Sequence, residues 1–185
     1  MYPTSYSWRD AVFRVILGIL SSDGRKGKKR EQKRSEVSHL CTEVTKMRAL
    51  TIRQPWASLI VLGHKDVENR TWRTAMRGQI AIHAGQSKAM EDWHSAVTAV
   101  AVVRRCGLLV EETWLRENIG CFADLPRGQI LGTVHIDSCS QTTTSQWHFP
   151  GYWGFYLSNP RIFEVSIPQK GKLGFWEVNL ESYLG

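Results

Sequence analysis

The spacing of apolar residues predicts regular secondary structure from residue 49 onward. ALTIR, residues 49–53, alternates between apolar and polar positions and contains β-branched side chains, which favours a strand. The next apolar positions, Trp56, Leu59 and Ile60, have the spacing of one helix face. Gly63 lies where such a helix would end. The chain is therefore predicted to begin its folded part with a strand and a short amphipathic helix.

The remainder of the chain continues in segments of strand and helix. VENRTW (67–72) and RGQIAIHAG (77–85) have the two-residue period of strands, and residues 87–105 and 111–119 are predicted to be helices. Four further strand-like segments are separated by glycine and proline: residues 128–139, 152–160, 161–168 and 172–180. Strands at both ends with helices between them predict an α+β fold, a small β-barrel or curled sheet decorated with helices.

The net charge of +7 is unevenly distributed along the chain. Residues 1–46 hold ten Lys or Arg against five Asp or Glu, whereas residues 47–185 hold fourteen against twelve. We therefore expect a flexible, disordered basic extension over residues 1–46 and a folded domain over residues 47–185. The extension is interpreted as a solvated linker, with a nuclear-localisation or RNA-contacting arm as the alternative. Translation that starts at Met47 would remove the extension, and an intact mass that includes it would exclude this hypothesis.

The four cysteines, Cys41, Cys106, Cys121 and Cys139, lie far apart and form no C-x-x-C pair. This pattern indicates neither a disulfide framework nor a zinc site, so we expect a reducing compartment, no metal and no cofactor. The apolar run at residues 11–20 is shorter than the ~20 residues that span a bilayer. We therefore expect no membrane partner and a cytoplasmic location, with a nuclear location as the alternative if the extension is present.

Charged side chains follow directly after an apolar run in GHKDVENRTW, residues 63–72. In an extended strand, Glu68, Arg70 and Trp72 share one face, and Lys65 can reach that face from the preceding turn. Two cations, an anion and an aromatic plane suit a flat, hydrogen-bonding ligand such as a nucleobase. The alternative is structural, with Glu68 and Arg70 in an exposed ion pair worth at most ~1 kcal/mol and Trp72 in the core.

Two other predicted strands carry polar faces that could line the same cleft. His83 lies on the polar face of QIAIH, and His135 lies on the polar face of ILGTVHID. A cleft requires these faces to converge on Lys65 and Glu68, which spacing alone does not determine. His83 as a buried histidine with its hydrogen bonds satisfied is the alternative.

Several of these motifs occur together in a known family. ALTIRQPWASLIVLGHKDVENRTWRTAMRGQIAIHAG, residues 49–85, closely resembles the opening of the ASCH domain, the activating-signal-cointegrator homology domain of the PUA-like superfamily. The segments GQILGTVHIDSC, GYWGFYLSNPR and PQKGKLGFWEV also match its pattern, so the resemblance covers residues 47–178. The G-x-K-x-x-E-x-R signature of that family is present as Gly63, Lys65, Glu68 and Arg70.

The resemblance implies a PUA-like β-barrel whose cleft is lined by the signature residues. It also implies binding of RNA or a modified nucleobase, tied to translation or transcription coactivation. Lys65 and Arg70 would supply charge, and Glu68 would hydrogen-bond the edge of the base. Trp72 or Trp153 would stack on its face. Further residues of the matching motifs and His83 complete the expected binding site. The expected ligand-binding residues are Lys65, Glu68, Arg70, Trp72, Gln54, Trp56, Arg77, His83 and Trp153.

Catalysis is the alternative to a binding module. One branch of the family resembles amidohydrolases that deacylate N4-acetylcytidine, with a threonine three residues after the signature lysine and a glutamate on a later strand. Here Glu68 fills the threonine position and His135 aligns with the glutamate, so the hydroxyl is lost. Lys65, Glu68 and His135 would carry an amidohydrolase reaction, with Glu68 as the base for a water. A third interpretation is a protein-interaction adaptor with protein partners and a vestigial cleft.

Overall fold

The computed structural model of the protein describes residues 46–105 and 108–180. The predicted basic extension therefore lies outside the described residues, except for Lys46, which begins the first strand. The order of elements within the described ranges confirms the predicted α+β fold. The elements are β1 (Lys46–Ile52), α1 (Trp56–Val61), β2 (Val67–Arg70), β3 (Gly78–Ala84), α2 (Met90–Arg104), α3 (Leu108–Ile119), a 3-10 helix (Phe122–Asp124), β4 (Gln129–Ser140), β5 (Trp153–Pro168) and β6 (Phe175–Asn179).

The six strands form one sheet in the order β2-β5-β4-β3-β1-β6. β1 and β3 pair in parallel, whereas the other neighbouring strands pair antiparallel. A parallel pair needs a long crossover, which α1, β2 and their loops provide. The sheet curls into a PUA-like half-barrel, so that Arg70 at the end of β2 reaches Thr51 of β1 although these strands are not neighbours.

The two strands predicted at residues 152–160 and 161–168 are one continuous strand, β5. The turn signal Asn159-Pro160 is accommodated as a bulge: Ser158 pairs with His135 and Arg161 with Thr133, so two residues of β5 lie opposite one residue of β4. Asn159 adopts a positive φ of 49°, and a bulge tolerates a proline because no ladder hydrogen bond is required there.

α1 lies between the curled sheet and the other helices, and packs on both. Ile60 faces the inside of the half-barrel with Leu50 and Phe155. Leu59, on the other side of α1, packs with Trp93 of α2 and other helical residues. Burial of both faces fixes the position of the loop that follows α1, and this loop carries Lys65.

The longer helices α2 and α3 cover the helix side of α1. Trp93 and Val100 of α2 are buried together with Leu115 and Ile119 of α3 in one apolar cluster. The packing of these helices brings the first turn of α2 alongside the end of β1. Among the residues that the structure describes, no helix combines the length and the apolar character needed to cross a bilayer.

Candidate functional site

A cleft of about 390 Å³ opens between the curled sheet, the start of α2 and the loop that precedes β5. Its sheet wall comes from the end of β1 and from β2, its helical wall from α1 and α2, and its outer rim from the loop. The residues that line it are Thr51, Ile52, Arg53, Trp56, Lys65, Glu68, Asn69, Arg70, Asp92, Ser95, Phe149 and Tyr152. The signature side chains Lys65, Glu68 and Arg70 therefore share one recess.

Lys65 and Glu68 form a buried ion pair in this cleft. Lys65 is 3% exposed, and its Nζ lies 3.3 Å from Oε2 of Glu68 and also donates to the carbonyl oxygen of Val67. The ammonium lies 5.7 Å from the ring centroid of Trp56, within cation–π range. Burial lowers the pKa of Lys65, and the neighbouring Glu68 carboxylate partly opposes this shift. The pair supplies charge inside the cleft without leaving an isolated buried ion.

Arg70 extends the pair into a three-residue network. Its Nε lies 3.0 Å from Oε1 of Glu68, and its Nη2 donates to the carbonyl oxygen of Thr51 over 2.8 Å. The Nε–H is not aligned on the Glu68 oxygen, so this contact is an ion pair rather than a hydrogen bond. Both carboxylate oxygens of Glu68 are thus in contact with cations, one with Lys65 and the other with Arg70.

Two aromatic side chains stand at the outer rim of the cleft. Phe149 and Tyr152 are 40% and 41% exposed, and their ring centroids lie 6.5 Å apart at a T-shaped angle. Asn69 of β2 holds this loop: its Nδ2 donates to the carbonyl oxygen of Trp147, and its Oδ1 accepts from the amide of Phe149. The rim therefore offers exposed aromatic surface at a fixed place above the charged network.

The helical wall carries a second carboxylate. Asp92, in the first turn of α2, is 6% exposed, and its Oδ1 lies 3.3 Å from Nη1 of Arg53. Its Oδ2 is buried without a hydrogen-bond partner among the described residues. Burial raises the pKa of Asp92, and the largest opposing effect comes from the Arg53 guanidinium. Ser95 follows one turn later on the same wall.

Five of the nine predicted ligand-binding residues lie outside the cleft lining, among them Gln54, Trp72 and Arg77. Gln54 is fully buried and stabilises the start of α1, because its Oε1 accepts from the amide and hydroxyl of Ser58. Trp72 packs between β5 and β6, with ring centroids 5.1 Å from Phe155 and 5.6 Å from Phe175. Arg77 is exposed and donates to backbone carbonyls within its own turn.

His83, His135 and Trp153 are also not among the residues that line the cleft. His83 is buried, its Nε2 lies 2.9 Å from the carbonyl oxygen of Gln169, and burial lowers its pKa. His135 is partly exposed and its Nδ1 lies 2.6 Å from Oδ1 of Asp137. Trp153 pairs with Arg70 in the sheet and lies against the half-barrel core. His135, the third member of the predicted catalytic set, therefore does not line the cleft that holds Lys65 and Glu68.

Sequence reasoning missed the residues that complete the cleft from distant parts of the chain. The position of Asp92 in the helix pattern could have identified it. Its spacing places it on the same helix face as the apolar residues Ala96, Ala99 and Val100, which are buried, and an acidic residue on such a face is unusual. Phe149 lies in a loop with proline and glycine, where an aromatic side chain has no strand or helix to bury it.

Comparison with known proteins agrees with the motifs. The chain matches the family model described as the ASCH domain over residues 50–166. It is 29% identical over 143 residues to Activating signal cointegrator 1 of Homo sapiens, an alignment that covers 74% of this chain and 23% of that protein. The values for Activating signal cointegrator 1 of Mus musculus are the same. The described chain thus corresponds to about a quarter of the length of these curated relatives.

Proposed function

The chain belongs to the ASCH domain family, and on that premise we propose that it is a binding module for RNA or a modified nucleobase. The observation that carries this proposal is that the buried Lys65–Glu68 pair and the half-buried Arg70 share one cleft with an exposed aromatic rim. Its similarity to Activating signal cointegrator 1 favours a role connected with transcription coactivation.

The size and chemistry of the cleft support a planar ligand with hydrogen-bonding edges. A volume of about 390 Å³ falls within the range of small-molecule sites, roughly 300–1,000 Å³. Lys65 and Arg70 supply positive charge near the floor, and Asp92 supplies an acceptor on the helical wall. A flat base could therefore meet donors and an acceptor along its edge.

The rim supports stacking on the face of the base. Phe149 and Tyr152 take the role that the sequence pattern gave to Trp72 and Trp153, since both are exposed and line the cleft. Stacking of a base on an aromatic side chain contributes about 1–3 kcal/mol and tolerates different bases. These two rings are thus proposed as the stacking surface for an unpaired nucleotide.

The charge of the domain favours a few phosphate contacts rather than many. The excess of +2 over residues 47–185 leaves little basic surface beyond the cleft, but the side chain of Arg53 is 64% exposed at the edge of the cleft. Affinity for single-stranded nucleic acid falls with salt in proportion to the number of phosphates neutralised, with a slope of about −0.7 per phosphate. We therefore expect the domain to contribute a shallow salt dependence, with a log–log slope of about −1 to −2.

The test measures binding of fluorescently labelled single-stranded RNA octamers to the full chain by anisotropy, with free nucleosides as competitors. Arg53→Ala should weaken RNA binding, whereas Arg77→Ala is the matched control because it removes an exposed arginine that does not line the cleft. Equal affinities for the two variants, or no binding of any RNA or nucleoside, would refute the proposal.

The same preparation tests the catalytic alternative. N4-acetylcytidine is incubated with the protein, and its deacylation is followed by chromatography. If the protein deacylates N4-acetylcytidine and the Lys65→Ala variant does not, the protein is an amidohydrolase and not a non-catalytic binding module. The separation of His135 from the cleft lining favours the non-catalytic function.

A further inference from the structure

The two carboxylates of the cleft differ in what their oxygens contact. Glu68 has one oxygen 3.3 Å from the Lys65 ammonium and the other 3.0 Å from the Arg70 guanidinium. Asp92 has one oxygen 3.3 Å from the Arg53 guanidinium, whereas the other, Oδ2, has no partner among the described residues. Asp92 is therefore the cleft carboxylate with an oxygen that makes no hydrogen bond, and because this oxygen is itself buried, a ligand reaches it only when the side chain rotates toward the cleft.

An unpartnered carboxylate oxygen in a nearly buried position is unfavourable in the free protein. Such a group loses water on folding and gains no hydrogen bond in return, and the loss is larger when the group is charged. The side chain of Asp92 is only 9% exposed, and the residue lines the cleft. A ligand that donates to Asp92 would recover this loss, and a ligand without donors would not.

We propose that Asp92 is a specificity-determining residue that reads the two adjacent donors on the Watson–Crick edge of guanine. This inference rests on the proposed function, because it concerns the base held in the same cleft. Guanine presents its N1–H and its 2-amino group side by side, and a carboxylate can accept from both with its two oxygens. After the side chain rotates, Oδ2 takes one donor, and Oδ1 keeps a free lone pair beside its contact with Arg53.

The Watson–Crick edges of the other bases match the two oxygens of Asp92 less well. Neutral adenine and cytosine present an amino group beside a ring nitrogen that accepts hydrogen bonds. If the amino group donates to one oxygen of Asp92, the ring nitrogen lies next to the other oxygen, and two acceptors repel each other. Uracil presents one N–H between two carbonyl oxygens. A site built to accept from a donor discriminates strongly against analogues that lack it, because its own polar group is then left unpaired.

Protonation of Asp92 offers a separate check on the same contact. Burial raises the pKa of this carboxyl group above its ordinary value of 3.8. A protonated carboxyl donates a hydrogen bond and no longer accepts at both oxygens. The preference for guanine should therefore weaken as the pH falls toward the raised pKa, whereas a contact made only by arginine and lysine would not weaken in that range.

The experiment compares guanosine 5′-monophosphate with inosine 5′-monophosphate, which differs only in lacking the 2-amino group. Binding of each to the full chain is measured by calorimetry. Guanosine monophosphate should bind roughly 5- to 100-fold more tightly, the scale of one lost hydrogen bond to a charged group. Asp92→Asn should remove most of this ratio. It should also weaken the binding of inosine monophosphate, but to a smaller extent, because the N1–H that both bases share then meets a neutral acceptor in place of a charged one. Glu111→Gln is the matched control, since Glu111 is a buried carboxylate outside the cleft lining, and it should keep the ratio.

A uridine octamer with a single central guanosine or inosine separates the two sources of the base. A ratio seen only with the octamer assigns the contact to guanine in RNA, and a ratio with both probes includes the free nucleotide. Equal affinities for guanosine and inosine probes, with RNA still bound, overturn the role of Asp92 and leave the proposed function intact. Absence of binding to every probe overturns both. The comparison of the two nucleotides uses the unaltered chain, so it stands even if Asp92→Asn does not fold.

Discussion

Arg70 and Thr51 join two strands that are not neighbours in the sheet. The guanidinium Nη2 of Arg70, at the end of β2, donates to the carbonyl oxygen of Thr51 in β1 over 2.8 Å. β2 and β1 are separated in the sheet order by β5, β4 and β3. The same guanidinium lies 3.0 Å from Glu68, so the contact that bridges the curled sheet also belongs to the floor of the cleft.

Replacement of Arg70 should therefore lower stability as well as ligand affinity. Arg70→Ala removes a charged donor from the Thr51 carbonyl and a cation from the buried Glu68, and we expect a loss of about 1–3 kcal/mol in the free energy of unfolding. Urea denaturation measures this loss. Arg77→Ala is the control, because Arg77 is exposed and bonds only carbonyls in its own turn. Equal stability of the two variants would contradict the bridging role.

The Lys65–Glu68 pair predicts a contrast between a buried and an exposed carboxylate. Glu68→Gln leaves the Lys65 ammonium buried without its anion, and we expect the free energy of unfolding to fall by about 3 kcal/mol. Glu112→Gln makes the same chemical change in the exposed pair with Arg116, where the expected change is within ~1 kcal/mol. Denaturant unfolding of both variants tests this, and losses of similar size would mean that the Lys65–Glu68 pair is solvated.

The aromatic side chains should separate into structural and binding groups. Trp72→Ala removes a ring packed on Phe155 and Phe175, so we expect it to destabilise the fold by about 3–5 kcal/mol. Phe149→Ala should change stability by less than about 0.5 kcal/mol but weaken binding of a single-stranded RNA octamer by about 1–3 kcal/mol. Thermal unfolding and anisotropy measure the two effects. The assignment fails if Trp72→Phe, which keeps the core filled, weakens RNA binding more than Phe149→Ala does.

His83 predicts a loss of stability in mild acid. Burial lowers its pKa in the folded state, whereas the unfolded chain takes up a proton at the ordinary value of 6.5. Below 6.5 and down to the lowered value, the unfolded state binds more protons, so the free energy of unfolding falls as the pH falls. The slope from this residue is at most about 1.4 kcal/mol per pH unit.

Denaturant unfolding between about pH 7 and pH 5 measures this slope, within the range where histidine titrates. His83→Gln should flatten the profile, and His94→Gln, a change at an exposed histidine, should not. His64, whose pKa is also lowered by burial, continues to contribute in both variants. A profile that is unaltered in His83→Gln would show that this histidine titrates alike in both states.

Local periodicity was sufficient for most elements of the fold but not for β5. The apolar spacing at Trp56, Leu59 and Ile60 predicted α1 because a helix face repeats within a few residues. Asn159-Pro160 carries the same turn signal whether the chain reverses or only bulges. Pairing with β4 determines that the chain bulges rather than reverses. This pairing depends on a distant strand, so it cannot be predicted from the dipeptide alone.

The site residues that are close in sequence could be predicted, whereas those that come from distant parts of the chain could not. Lys65, Glu68 and Arg70 are close in sequence, so a turn and one short strand bring them together. Trp72 was assigned to the same face, but β2 ends at Arg70 and the two-residue alternation ends with it. Asp92 reaches the cleft only because α2 packs beside β1, a relationship set by the core that no local pattern contains.

The two hydrogen bonds from Asn69 to the loop have an entropic consequence. They anchor the backbone at Trp147 and Phe149 to β2, so the rim is already ordered before a ligand binds. Ordering a flexible side chain on association costs about 0.5–1.5 kcal/mol, and a rim that is already fixed avoids part of that penalty. The amide of Asn69 would thus raise the affinity for the proposed RNA or nucleobase ligand by limiting the number of conformations that the rim adopts in the free protein.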